Sequence, residues 1–342
     1  MQAEAATRYW HRLEDGRVQC DLCPGACWLR ENQRGLCLVR GRRDGAIVLL
    51  TYGRSSGFCV DPIEKKPLNH FLPGSAVFSF GTAGCNLACR FCQNWDISKS
   101  RDTDTLAVSG SPEEIAAAAE RLGCASVAFT YNDPVVFLEY AVDAADACRA
   151  RGIKAVAVTA GYVCRGPAAE LFAHMDAANV DLKAFSDDLY RRICAGSLRP
   201  VLGTLEYLVA ETDVWVEITT LVIPGYNDSD DELDRMTRWG VDHLGSDVPW
   251  HFTAFHPDYR MLDVPPTPGE TLTRARAIAL ANGVHYAYTG NVLDREGGST
   301  WCHRCGELVI EREGYRLGVV AMTAAGCCER CGARIPGVFS PA

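Results

Sequence analysis

The sequence predicts an α/β protein whose parallel sheet is curved into a full or partial barrel. Short apolar, β-rich runs alternate with helical stretches from residue 76 to about residue 290. Six or more such units fit within that stretch, which favours a barrel over an open sheet. Residues 76–80 (AVFSF) read as the first strand. Residues 112–122 read as a helix with Ser111 as N-cap, Pro112 at its first position and Glu114 completing a capping box. A strand at 126–130, a helix at 134–151 and a strand at 155–159 follow. Residues 180–183 read as the next strand, with a helix at 187–194 behind it. The run 214–222 is β-rich and 231–239 helical. Strands at 250–255 and 284–288 close the series around a helix at 268–282.

The flanks differ from this core. Residues 1–75 form a cysteine-bearing extension punctuated by Pro24, Gly25 and Gly35, and 291–342 form a second, glycine-interrupted one. The chain has 342 residues, is 48% apolar and 23% charged, and carries a net charge of −9, which gives no support to nucleic-acid binding. The first twenty residues lack the apolar core of a signal peptide. No stretch approaches the ~18 apolar residues of a membrane span. The expectation is a cytoplasmic protein with no membrane and no nucleic-acid partner.

Seventeen cysteines are then anomalous, because a cytosol keeps thiols reduced. Clusters of them point to metal or redox chemistry. Eleven fall into three groups, while Cys59, Cys124, Cys148, Cys164, Cys194 and Cys327 read as small buried hydrophobes. The central group, Cys85, Cys89 and Cys92, has the spacing C-x3-C-x2-C directly after a strand. Three thiolates on one loop can ligate three irons of a [4Fe-4S] cube and leave the fourth iron open for an outside ligand. The C-terminal group pairs Cys302 and Cys305 with Cys328 and Cys331, each C-x2-C followed by Gly, as in a zinc ribbon or rubredoxin-like site. Zinc and iron both suit it, and Cys327 is an alternative to Cys328. The N-terminal group is Cys20, Cys23, Cys27 and Cys37. It can supply a shell for zinc or an auxiliary iron–sulfur cluster, or it can be structural thiols or a redox pair.

The central loop, with Phe91 before its third cysteine, resembles that of radical S-adenosylmethionine (SAM) enzymes. The chain as a whole resembles the radical SAM enzymes of the AmmeMemoRadiSam system, relatives of the pyruvate formate-lyase activating enzymes. The likeness rests on Cys20 to Cys37 with Gly35, on DPIEKKPL at 61–68, on HFLPGS at 70–75 and on 81–92 continuing Gln93-Asn94-Trp95. It extends through TYNDP at 130–134, FHPDY at 255–259, PPTP at 265–268 and the terminal ribbon. The resemblance implies a partial (β/α)6-type barrel, a [4Fe-4S] cluster, SAM, an electron donor such as flavodoxin or ferredoxin, and the partner proteins of that system.

It also implies SAM contacts. Asn132 and Asp133 stand where related enzymes carry a Gly-Gly-Glu-Pro segment, with Asp133 shorter than the usual glutamate; Asp133-Pro134 can also simply start a helix. Thr159 opens a turn like the Thr-Asn-Gly turn near the ribose, though Val158 replaces the aspartate found before it. Asp181 and Lys183 alternate along a strand and so share a face. They face either SAM or each other. His256 matches a SAM-contacting histidine or is a structural hydrogen-bonder. Gly225 and Asn227 match an adenine-packing segment or a plain type II turn. The charges at 61–66 either orient a substrate or form a solvated run. Three functions follow: a radical SAM enzyme acting on a protein or small molecule, a glycyl-radical activase, and a non-catalytic metal scaffold. The open cysteine loop argues against the last.

Overall fold

The computed structural model describes residues 4–99 and 108–340, so the predicted flanking segments 1–75 and 291–342 each include ends outside the described residues. One sheet organises the chain. Its strands are β1 (Arg54–Pro62), β2 (Ala76–Gly81), β3 (Ser126–Phe129), β4 (Lys154–Thr159), β5 (Ala177–Asp181), β6 (Trp215–Val222), β7 (Trp250–Ala254) and β8 (Ala287–Gly290). They lie side by side in chain order; β2 to β8 are parallel, β1 is antiparallel to β2, and the short strand Val108–Ser109 extends the β1 edge. No ladder joins the two outer edges among the described residues. The sheet nevertheless curves, because residues at the ends of β3 to β7 all line one cavity.

The longer helices are α1 (Pro112–Arg121), α2 (Leu138–Arg149), α3 (Arg165–Phe172), α4 (Leu198–Glu211), α5 (Asp230–Leu244) and α6 (Gly269–Ala281). Alternation along each strand sorts the two faces. In β6, Val216 and Ile218 join Leu205, Leu233, Met236 and Leu272 of the helices in the main core. Glu217, Thr219 and Leu221 take the concave face, where Thr219 and Leu221 line the cavity. The α1 capping box forms as the sequence predicts, with Ser111 and Glu114 bonded reciprocally. Helices α3 and α4 fall outside the predicted elements. Both carry Pro in their first turn, Pro167 and Pro200, where a missing N–H costs little. The predicted helix 187–194 is one α-turn followed by a π-turn, Tyr190–Cys194, closed by Ala195 at φ 55°. The strands predicted at 180–183 and 284–288 begin at Ala177 and Ala287 instead.

The charge run 61–66 is not a solvated one. Its chain enters the concave face through the short 3-10 turn Ile63–Lys65, and Ile63, Leu68, Phe71 and Leu72 pack on Val77, Ala128, Val156 and Ala177. Asn69 and His70 donate their N–H groups to Glu217 at 2.9 and 2.7 Å, and Asn179 donates to the Pro67 carbonyl at 2.8 Å. Asp61 and Lys66 are thereby buried and paired at 2.7 Å, with Lys65 completing the pair from the surface. Burial alone would raise the Asp61 carboxyl, but Lys65 and Lys66 hold it well below the ordinary range.

The N-terminal residues form two small antiparallel sheets, pinned to α2 by the buried Arg40–Glu139 ion pair and to the 3-10 turn before it by Arg40 donating to the Val136 carbonyl. The C-terminal residues form a three-stranded sheet of Thr300–Trp301, Leu308–Glu313 and Arg316–Val320. Buried Arg312 fastens it to the core by donating to the Asn69 carbonyl at 2.7 Å. Among the cysteines outside the groups, Cys124, Cys148 and Cys194 are buried as expected, but Cys59 is exposed.

Candidate active site

The loop after β2 reaches Cys92 and is tied down from every side. Its first requirement is at Gly81, where a Cβ would lie 2.4 Å from the Thr130 carbonyl oxygen, so only glycine lets the loop pass β3. Asn132 accepts from the Thr82 N–H at 3.0 Å and directs its amide at the Thr82 hydroxyl and the Ala83 and Gly84 carbonyls. Ala88 and Arg90 donate to the carbonyls of Cys194 and Ile193, at 2.8 and 2.9 Å. Asn86 donates to the Tyr162 carbonyl, and Lys99 to that of Leu87. Such a loop holds its side chains in place before any ligand binds.

Cys85, Cys89 and Cys92 all line a cavity of about 260 Å³ at the C-terminal ends of the strands, the usual ligand end of a parallel sheet. Burial and the Asp133 charge push the Cys85 thiol up to about 12. A hydrogen bond with Cys194, and then burial, hold the Cys89 thiol well above its ordinary value. Thiols in such surroundings become thiolates only when a metal takes the proton's place. Cys92 lies 3.1 Å from the Ser98 hydroxyl.

Asp133, Thr159, Asp181 and Lys183 line the same cavity. Asp133 caps the turn after it by accepting from Val135, and it also accepts from the Thr159 hydroxyl and the Ala160 N–H, each at 2.9 Å. It therefore staples the loop after β3 to the loop after β4. Burial raises its carboxyl despite those donors. Lys183 pairs with Asp181 at 2.9 Å. Burial opposes the Lys183 ammonium, but the Asp181 carboxylate beside it outweighs burial and holds it charged. Asn132 also reaches the cavity, although its amide is committed to the cysteine loop. His256 lies on an exposed loop outside the cavity lining, with a hydrogen bond to the Pro257 carbonyl at 3.4 Å. Gly225, at φ 75°, sits in an open turn, whereas buried Asn227 donates to the Lys183 carbonyl and so positions that lysine's backbone.

Sequence reasoning missed Cys194. It lies against Cys89 from the π-turn but is absent from the cavity lining, so it stands behind the open face. Only the tertiary fold could reveal it. Cys194→Ser should keep the iron content of the reconstituted protein within about 20%, because a serine hydroxyl can still partner Cys89. Iron loss equal to that of Cys89→Ala would instead make Cys194 a ligand.

The C-terminal sulfurs gather tightly. Cys302, Cys305, Cys328 and Cys331 all lie within 4.8 Å of one another, with Cys302–Cys331 at 3.6 Å and Cys305–Cys328 at 3.8 Å. A tetrahedron of metal–sulfur bonds of about 2.3 Å has edges of roughly 3.8 Å, so the set fits one ion. Gly306 and Gly332, at φ 70° and 71°, make matching turns by donating to the Cys302 and Cys328 carbonyls. Cys327 stands outside the set.

Residues 80–237 match the model of the radical SAM superfamily, a stretch that holds the open cysteine loop and neither flanking group. An uncharacterized protein of Methanocaldococcus jannaschii, MJ0808, is 39% identical over 96% of this chain and 97% of its own length. The chain belongs to the radical SAM superfamily. These are enzymes that bind a [4Fe-4S] cluster and SAM and draw on an electron donor. The chain is related to the pyruvate formate-lyase activating enzymes: the Escherichia coli pyruvate formate-lyase 1-activating enzyme is 25% identical over 60% of this chain and 89% of its own length. A radical SAM methyltransferase from Sphaerobacter thermophilus shares the radical SAM fold, with a TM-score of 0.52 and 16% identity over 90% of this chain and 82% of its own. No helix of the described residues is long and apolar enough to cross a membrane.

Proposed function

We propose that the chain is a radical SAM enzyme that abstracts hydrogen from a protein or small-molecule substrate, with residues 76–290 as its catalytic domain. One observation carries this reading. Three cysteines, and no fourth, line a cavity that also presents a charged lysine and two carboxylates. That donor set fits a cubane with one open iron, and the lysine and carboxylates suit the charged ends of SAM. Held by Cys85, Cys89 and Cys92, such a cluster would supply the electron for reductive cleavage of SAM. The remaining work belongs to the protein. Lys183 presents a cation to the SAM carboxylate, and Asp181 fixes that cation and faces the ribose. Asp133 and Thr159 hold two loops at the spacing the ligand needs, while Asn132 keeps the cysteine loop in register. His256 reaches SAM only if its loop closes over the cavity.

The order of motifs along the chain supports a place in the AmmeMemoRadiSam system, with flavodoxin or ferredoxin as electron donor and the two other proteins of that system as partners. A second reading, a glycyl-radical activase, draws on the likeness to the E. coli activating enzyme. The two flanking cysteine groups favour the first, because the simplest activases lack a C-terminal ribbon. We read that ribbon as a zinc or mononuclear iron site that closes the C-terminal end of the core. Anaerobically reconstituted protein, reduced in the presence of SAM, should release 5′-deoxyadenosine, and Cys89→Ala should release none above background. Equal release from both proteins would overturn the radical reading.

A further inference from the structure

The N-terminal cysteines are arranged unlike the C-terminal ones. Cys20, Cys23, Cys27 and Cys37 surround one small apolar cavity. Backbone closes directly on the sulfurs: Leu36 donates to Cys27 at 3.4 Å, a Cβ on Gly25 would lie 3.5 Å from the Cys23 sulfur, and one on Gly35 would lie 3.5 Å from the Cys27 sulfur. Thiols buried merely as small hydrophobes need no such convergence, whereas ligating thiolates are oriented and tuned by it. The spacing separates the two kinds of metal. Among the described residues, no three of these sulfurs meet the 4.8 Å mutual spacing that all four C-terminal sulfurs meet. The four nonetheless face that one cavity, so they are spread more widely than a single tetrahedral ion requires and suit a cluster of several irons.

Its position is equally specific. Asn86, next to Cys85, lines this cavity as well. Gly84, on the other side of Cys85, has φ 81°, and a Cβ there would lie 2.1 Å from the Cys37 carbonyl oxygen. The ligand loops of the two sites thus touch, backbone against backbone. On the outer side the cavity is covered by Leu36, which is 73% exposed.

We infer that Cys20, Cys23, Cys27 and Cys37 hold an iron–sulfur cluster that relays electrons into the neighbouring open cluster. Four cysteine ligands leave it no vacant iron, so it carries electrons and does not bind substrate. One electron leaves an external low-potential donor of the flavodoxin or ferredoxin class, reduces this cluster, and passes on to the cluster of Cys85, Cys89 and Cys92. No bond is made or broken in the transfer. The destination rests on the radical SAM reading; the cluster itself does not.

The deciding protein is the Cys85→Ala/Cys89→Ala/Cys92→Ala variant, reconstituted anaerobically and assayed for acid-labile sulfide and, after dithionite, by electron paramagnetic resonance. One cluster's worth of sulfide and a signal indifferent to SAM are expected. Absence of labile sulfide, with zinc in its place, would overturn the cluster whether or not the wild type cleaves SAM. If that variant does not fold, Cys20→Ala/Cys23→Ala should contain one cluster's sulfide less than the wild type, and equal sulfide overturns the inference. For the relay, the rate of 5′-deoxyadenosine release driven by reduced flavodoxin is divided by the rate driven by dithionite. That ratio should fall steeply in Cys20→Ala/Cys23→Ala, and an unchanged ratio overturns the relay.

Discussion

Asn132→Ala should lose most of the iron held by the central loop, while Asp133→Ala keeps the iron and loses SAM. The residues are adjacent, yet their bonds run in opposite directions. Asn132 spends its side chain on Thr82, Ala83 and Gly84, the residues that lead into Cys85. Truncating it frees two buried carbonyls and one N–H at once, each costing about 1–3 kcal/mol if left unpaired. The loop should then sample conformations in which the three sulfurs no longer converge. Asp133 instead ties Thr159 and Ala160 to the loop after β3. Its removal leaves the cysteine loop fastened but opens the other wall of the cavity. Loss of these charge-assisted bonds, at about 1.5–3 kcal/mol each, should cost on the order of 10²-fold in kcat/KM for SAM. Iron and labile sulfide, measured beside SAM binding, separate the two effects. Parallel loss of iron in both variants would refute the division of labour.

The contrast shows what the sequence could and could not reveal. The strand–helix alternation, the capping box at Ser111 and the three cysteine spacings are local, and periodicity and spacing exposed them. Cys194 beside Cys89, and Asn227 under Lys183, are encounters between distant segments. A pattern read along the chain carries no trace of them. The run 61–66 misled for a related reason. A dense run of charges normally marks a solvated face, but here the chain plunges into the concave side of the sheet, so Asp61 and Lys66 find each other. Strand β1, the longest of the sheet with nine residues, went unread because Ser55, Ser56 and Gly57 open it and Asp61-Pro62 end it. The spacing of the N-terminal cysteines left zinc, a cluster, structural thiols and a redox pair all open, because spacing along a chain does not say how far apart the folded sulfurs lie.

Glu217→Ala should be the most destabilising single substitution in the core, at about 3–5 kcal/mol, lowering Tm by roughly 10 °C. The carboxylate is fully buried and accepts from the Asn69 and His70 N–H groups, from Trp215 and from His251. Burial alone would raise its pKa, yet His251, His70 and Trp215 overcome that and lower it. A group whose folded pKa is depressed stabilises the fold above its unfolded pKa and ceases to do so as pH falls through the folded one. His70 adds to the same trend. It bridges the Pro336 carbonyl and the Tyr288 hydroxyl, and it faces Glu217, Arg312, His251 and Tyr286. Burial, aided by Arg312 and His251 and opposed by Glu217, depresses it to about 4 from 6.5. The unfolded chain therefore takes up the His70 proton first as pH falls, and stability drains between about pH 6.5 and pH 4, on the order of 3 kcal/mol from this residue. Nothing comparable arises from this pair above neutrality. Thermal unfolding of wild type and His70→Gln across that range is the check. A wild-type Tm that stays level from about pH 7 to about pH 5, or falls equally in the variant, would remove His70 from the account, since its proton uptake is the step that couples this buried junction between the core and the C-terminal segment to pH.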